Sequence, residues 1–93
     1  MRFIGKTKEQ VEQERIEQLA RQIRAERNRR LAETDWMVLP DVPIDRESLQ
    51  ELMSYRQALR DIPEQPGFPE RIFWPSLRSK NILKYLSKED TET

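Results

Sequence analysis

The chain has 93 residues, of which 35% are hydrophobic and 37% charged, and its formal net charge at neutral pH is zero. This length limits the chain to one domain, and a neutral molecule has no bulk attraction to nucleic acid or an anionic membrane. The absence of cysteine and histidine excludes disulfides and thiolate metal sites, together with the commonest general base and transition-metal ligand.

The first predicted element is one long charged helix, which we assign to residues 1–34. Thr7 and Gln10 have the spacing of a capping box, and from Lys8 to about Glu33 the chain contains no glycine or proline. About 26 helical residues span roughly 40 Å, whereas a compact domain of this size is only about 30 Å across. We therefore expect the N-terminal half of the helix to project beyond the core.

A narrow apolar seam on this helix predicts a partner-binding surface. Its spacing of three and four residues fits about two heptads of a coiled coil, which is narrower than the face of an ordinary core helix. We expect the seam to lie against another chain, either a different protein or a second copy. The residues assigned to it are Val11, Ile16, Leu19 and Ile23.

Residues 35–77 hold all six prolines, both tryptophans and five of the seven aromatic side chains. Aromatic side chains contribute the most apolar area, so we expect a compact core to form around them. Asp35 and Trp36 are expected to end the first helix, and from Met37 to Pro43 the chain is expected to be extended, because residues before proline avoid the helical region. The structural residues assigned to this module are Asp35, Trp36, Tyr55, Arg56, Leu59, Arg60, Phe68, Trp74 and Pro75.

A second, shorter helix is predicted inside this module. Asp45 is its expected N-cap, and Pro63 ends it after about Ile62. Pro66-Gly67 then predicts a turn, and residues 71–74 an extended strap with no second strand to pair with. Residues 78–93 are expected to form a short amphipathic helix, starting near Ser79, and a polar tail.

The charged side chains offer no convincing catalytic site. Asp35 with Asp41, and Asp61 with Glu64, are typical of turns, caps and ion pairs, and no metal or cofactor site is expected. Arg56 and Arg60 are expected to bind carboxylates and to stack on Trp36 or Trp74, since a planar guanidinium suits both contacts.

Four ordered blocks of sequence resemble the bacteriophage tail assembly chaperone family. The resemblance runs from Arg27 to Ser76, and the Tyr-Arg and Trp-Pro pairs also recur in tail-fibre assembly proteins. Arg30 departs from it where the family usually has leucine, and Arg78 where a proline usually follows Trp-Pro. The blocks are RRLAETDW at 29–36, LPDVP at 39–43, YRQALRDI at 55–62, and PGFP with IFWP between 66 and 75.

These observations favour a mostly α fold, with a long N-terminal helix, a shorter second helix, extended Pro/Trp-rich straps and little or no sheet. The resemblance implies a small non-enzymatic protein that helps a phage tail or tail-fibre protein fold or assemble. It would act in the host cytoplasm, without binding nucleic acid or membrane. Two alternatives remain: a structural component kept in the virion tail, and a nucleic-acid-binding regulator that uses the arginines between Arg21 and Arg30.

Overall fold

The computed structural model describes residues 5–87, and within this range the chain is helical, with no strand. The mostly α prediction is confirmed. The predicted polar tail beyond Ser87 lies outside the described residues. The elements in chain order are α1 (Lys8–Asp35), a 3₁₀ helix (Trp36–Val38), α2 (Arg46–Arg60), a second 3₁₀ helix (Ile62–Glu64) and α3 (Lys80–Ser87).

The two long helices begin at the residues that the sequence predicted. Thr7 and Gln10 form a complete capping box, in which the backbone N–H of Gln10 donates to the Thr7 hydroxyl at 3.0 Å and the backbone N–H of Thr7 to the Gln10 side chain at 2.9 Å. The Asp45 carboxylate accepts from the backbone N–H of Ser48 at 2.9 Å, which caps α2. Each cap satisfies backbone donors that helical geometry leaves without a partner.

The segment after α1 is wound and not extended, which corrects the sequence prediction. Residues Trp36–Val38 form one turn of 3₁₀ helix, and the chain becomes extended at Leu39. This turn points Met37 into the protein, where it is 1% exposed, and leaves Trp36 42% exposed.

The core is aliphatic, although the sequence predicted a core around aromatic rings. Met37, Leu52 and Ile82 form one buried cluster, with Tyr55 packed against its edge. No aromatic side chain is fully buried among the described residues, whose largest fully buried side chains are Met37, Leu52, Leu59, Ile62, Ile82 and Thr34. The rings of Phe68 and Trp74 instead lie nearer the surface, where Arg24 and Arg30 cover their faces.

Polar contacts fix α3 to the N-terminal part of α2. The Glu51 carboxylate accepts from the backbone N–H groups of Arg78 and Ser79, which precede α3. The hydroxyls of Ser48 and Ser79 lie 2.7 Å apart, and Asn81 donates to Asp45 at 2.8 Å. A carboxylate at a helix N-terminus is favourable because the helix dipole is positive there. From the sequence, only Ser79 was expected to cap α3.

The molecule is elongated because α1 extends past the core. Its radius of gyration is 18.3 Å and its extents are 63 × 33 × 20 Å, whereas a compact chain of this length has a radius of gyration of about 12 Å. Every residue from Gly5 to Arg15 is exposed. No helix among residues 5–87 has the length and apolar character needed to cross a bilayer.

Leu52→Ala should destabilise the fold strongly, because Leu52 is 0% exposed at the centre of the core cluster. A loss of about 2–5 kcal/mol in the free energy of unfolding is expected for a leucine truncated in a packed core. Met53→Ala is the matched control, since Met53 is 54% exposed on the same helix. Urea denaturation followed by tryptophan fluorescence measures both. Equal losses in the two variants would contradict this description of the core.

Candidate partner-binding surface

Arg56 joins α2 to the C-terminal end of α1. Its guanidinium donates to the backbone carbonyl of Leu31 at 2.9 Å and to the Thr34 hydroxyl at 2.7 Å, and it pairs with the Asp35 carboxylate at 2.9 Å. The Arg56 side chain is 11% exposed, and Thr34 is 1% exposed. These contacts lie near the C-terminal end of α1, where the helix dipole carries partial negative charge and a cation is favourable.

The contact between Arg56 and Asp35 agrees with the carboxylate binding expected from the sequence. Arg60 has a different position: it is exposed, and its contact with Gln57 is weak at 3.4 Å. Arg30 of α1 lies over the Trp74 ring, with 4.2 Å between the guanidinium carbon and the ring centroid. The sequence had assigned this stacking role to the arginines of α2.

Three arginines of α1 hold the segment that follows the second 3₁₀ helix. Arg15 pairs with Glu70 at 2.6 Å, Arg24 lies over the Phe68 ring at 5.3 Å, and Arg30 covers Trp74. Sequence reasoning missed these contacts because they join residues more than forty positions apart. The only signal available was the concentration of arginines on α1, which indicated charge without indicating its partners.

We call residues 65–73 the flap; its two ends are joined by one side chain. The Gln65 amide donates to the backbone carbonyl of Phe73 at 2.9 Å and accepts from the backbone N–H of Phe73 at 2.8 Å. Inside the flap, the backbone N–H of Arg71 donates to the Gly67 carbonyl at 2.8 Å. A Cβ atom at position 67 would lie 2.7 Å from the Arg71 carbonyl oxygen, so this tight approach requires glycine.

The contacts of the flap with α1 indicate that it lies over the predicted apolar seam. Since successive helical residues are about 100° apart, Arg15 and Arg24 lie on opposite sides of α1, about 180° from each other. A segment that contacts both arginines passes over one of the two faces between them, and on the face opposite the seam every residue is exposed. The flap is therefore assigned to the face with the partly buried residues. From Arg15 towards Arg24, these are Leu19, Ile23, Ile16 and Ala20, at about 40°, 80°, 100° and 140°.

The burial of the seam agrees with this crossing. Ala20 is 9% exposed, and Ile16, Leu19 and Ile23 are half-buried. Leu19 also borders a shallow cleft that is lined by Arg15, Gln18 and Gln22.

Val11 stands apart from the rest of the seam. It is 54% exposed and precedes Ile16 by five residues, which places it about 140° round the helix. Its assignment to a partner surface stays a prediction.

Ion pairs within α1 shift the pKa of its carboxylates. Arg29 and Arg30 both donate to Glu26, at 2.7 and 2.8 Å, and lower the pKa of Glu26 to about 2. Hydrogen bonding from Arg15 lowers the pKa of Glu12.

Outside α1, burial raises the pKa of Tyr55 in α2. Among the described residues, no group of acidic side chains is arranged to hold a metal ion.

A family model described as phage tail assembly chaperone protein matches residues 20–77 of the chain. This range includes the Arg56 contact with α1, the flap and, of the seam residues, Ile23. No curated protein and no solved structure matches the chain.

Arg56→Ala should cost about 2 kcal/mol of unfolding free energy, because hydrogen bonds to a charged group contribute about 1.5–3 kcal/mol and the Thr34 hydroxyl would lose a buried partner. Arg60→Ala is the control and should change stability by at most about 0.5 kcal/mol, as expected for an exposed side chain. Urea denaturation measures both values. Similar effects at the two positions would show that Arg56 does not join the helices as described.

Stability should fall as the pH decreases from about 4.5 to 2. The pKa of Glu26 is lowered from 4.5 to about 2, so its stabilising contribution is complete above pH 4.5 and is lost as the folded-state carboxylate takes up a proton. Glu26→Gln should therefore reduce the acid sensitivity of the urea midpoint measured at pH 5 and pH 2.5. An unchanged pH dependence in this variant would contradict the ion pairs with Arg29 and Arg30.

Proposed function

The chain belongs to the phage tail assembly chaperone family and has a role in tail assembly; we propose that it fulfils this role by binding a tail or tail-fibre protein, without catalysing a reaction. It would act in the host cytoplasm while tails are being built. The observation that carries this proposal is the incompletely covered seam on the long helix α1, in which Ile16, Leu19 and Ile23 are half-buried.

The shape of the molecule supports binding through α1. The core cluster involves the 3₁₀ turn, α2 and α3, so the first turns of α1 contribute little to it. An amphipathic helix that projects from a folded body can dock its apolar side against a partner's helices or groove. The half-exposed seam supplies apolar area for such an interface, and the polar side chains around it keep the free protein from associating through a large apolar patch.

The contacts of the arginines argue against the nucleic-acid alternative. Arg15, Arg24 and Arg30 lie on side chains of the flap and of Trp74, and Arg29 pairs with Glu26 and Glu33. Phosphate binding would have to replace these contacts, and the zero net charge of the chain offers no compensating long-range attraction. The same residues are better suited to organising the helix surface.

Replacing Ile16, Leu19 and Ile23 together with glutamine should abolish binding to the cognate tail or tail-fibre protein, because the variant removes the apolar area proposed to dock. Binding is measured by co-expressing the chain with each tail protein encoded by the same phage and by titrating the purified pair. Ala25→Gln is the matched control, since Ala25 is exposed on the same helix.

Far-UV circular dichroism and tryptophan fluorescence establish that each variant is folded. A folded triple variant that binds as tightly as the wild type would overturn docking through the seam. Sedimentation equilibrium of the chain alone tests the competing occupant, a second copy. A dimer that the triple variant disrupts would replace the tail protein as the ligand of the seam.

A further inference from the structure

We propose that the flap covers the seam in the free chain and that it is a displaceable cover whose chemistry the partner segment reproduces. The proposal rests on the proposed function, because it specifies how a tail or tail-fibre protein would reach the seam. The partner segment would present an aromatic or apolar side chain to Arg24 and a carboxylate to Arg15, in place of Phe68 and Glu70.

The contacts that attach the flap to α1 are individually weak. Arg15 and Glu70 are 51% and 54% exposed, and an exposed ion pair changes an equilibrium constant by about five-fold at most. The cation–π contact between Arg24 and Phe68 is also weak, because Arg24 is exposed and its guanidinium carbon lies 5.3 Å from the ring centroid. A partner that buries the seam can offset the loss of both contacts.

The flap can leave α1 without losing its own shape. Its ends are joined by the two Gln65 hydrogen bonds to Phe73, and its turn is held by the hydrogen bond between Arg71 and Gly67. None of these bonds involves α1. Because Trp74 follows directly and remains under Arg30, the flap is anchored at one edge and free to lift at its tip, near Glu70.

The residues of α1 that become exposed when the flap lifts define which side chains the partner segment needs. Arg15 and Arg24 would stand on either side of an apolar strip made by Leu19, Ile23 and Ile16. Arg15 would keep its contact with Glu12 at 2.6 Å and could donate to a second carboxylate, as it does to Glu70. The ligand that fits this strip is an acidic segment with one large apolar or aromatic side chain.

Substituting Glu70 and substituting Arg15 should change the affinity for the partner protein in opposite directions. Glu70→Gln weakens the cover and leaves Arg15 for the partner, so affinity for the purified tail or tail-fibre protein should rise about two- to five-fold, the equivalent of one exposed ion pair. Arg15→Gln weakens the cover but also removes the partner's contact, so affinity should fall. Isothermal titration measures both variants, and changes of the same sign would overturn the proposal.

A thiol on the seam tests the cover without any partner, since the chain contains no cysteine. Ile23→Cys places the thiol beneath the flap, and Ala25→Cys is the control on the exposed side of α1. Adding Glu70→Gln should raise the rate of maleimide labelling about two- to five-fold at position 23 and leave it unchanged at position 25.

These experiments separate the two proposals. If adding Glu70→Gln leaves the labelling rate at position 23 unchanged, the proposal that the flap covers the seam is overturned, even if the wild-type chain binds a tail protein. Failure of the wild-type chain to bind any tail or tail-fibre protein of its phage would instead overturn the proposed function and the partner chemistry with it.

Discussion

The interaction on which the fold depends is the contact of Arg56 with the end of α1. The C-terminal end of a helix carries partial negative charge, and here the Leu31 carbonyl and the buried Thr34 hydroxyl both accept hydrogen bonds from Arg56 of α2. The contact fixes where α1 stops relative to α2. The 3₁₀ turn that follows can then place Met37 against Leu52 and Ile82. A chain with so few fully buried apolar side chains relies on such a directional contact to select one arrangement of its helices.

The distribution of aromatic residues follows from the high content of charged side chains. A chain that is 37% charged and 35% hydrophobic lacks the apolar volume to enclose large rings from every side. Arginines of α1 cover Phe68 and Trp74 instead, with the guanidinium lying over the ring and the stem shielding apolar surface. This arrangement also accounts for Arg30, which departs from the usual leucine of the resembling sequences: an arginine here covers Trp74 while it pairs with Glu26.

Local features of the sequence predicted most of the fold, and distant contacts were the part that it could not provide. The starts of α1 and α2 were predicted correctly from Thr7, Gln10 and Asp45, because a helix cap involves only a few neighbouring residues. The pairing of Asp35 with Arg56 followed from charge and from the module's compactness. The 3₁₀ turn at Trp36 was missed because Pro40 and Pro43, which follow it, favoured extended backbone. The role of Glu51 at α3, and the passage of Phe68 and Glu70 over α1, depend on how the folded chain returns to itself. The seam was identified from its periodicity, but nothing in that periodicity indicated that Phe68 and Glu70 of the same chain contact the arginines on either side of it.

The projection of α1 has a hydrodynamic consequence. A radius of gyration of 18.3 Å is that of a compact chain of roughly 260 residues, nearly three times the actual length. A single copy will therefore diffuse slowly and leave a gel-filtration column early, where a globular trimer would be expected. The frictional coefficient of this protein is set largely by the length of α1. Elution volume is therefore a poor guide to the number of chains in an oligomer.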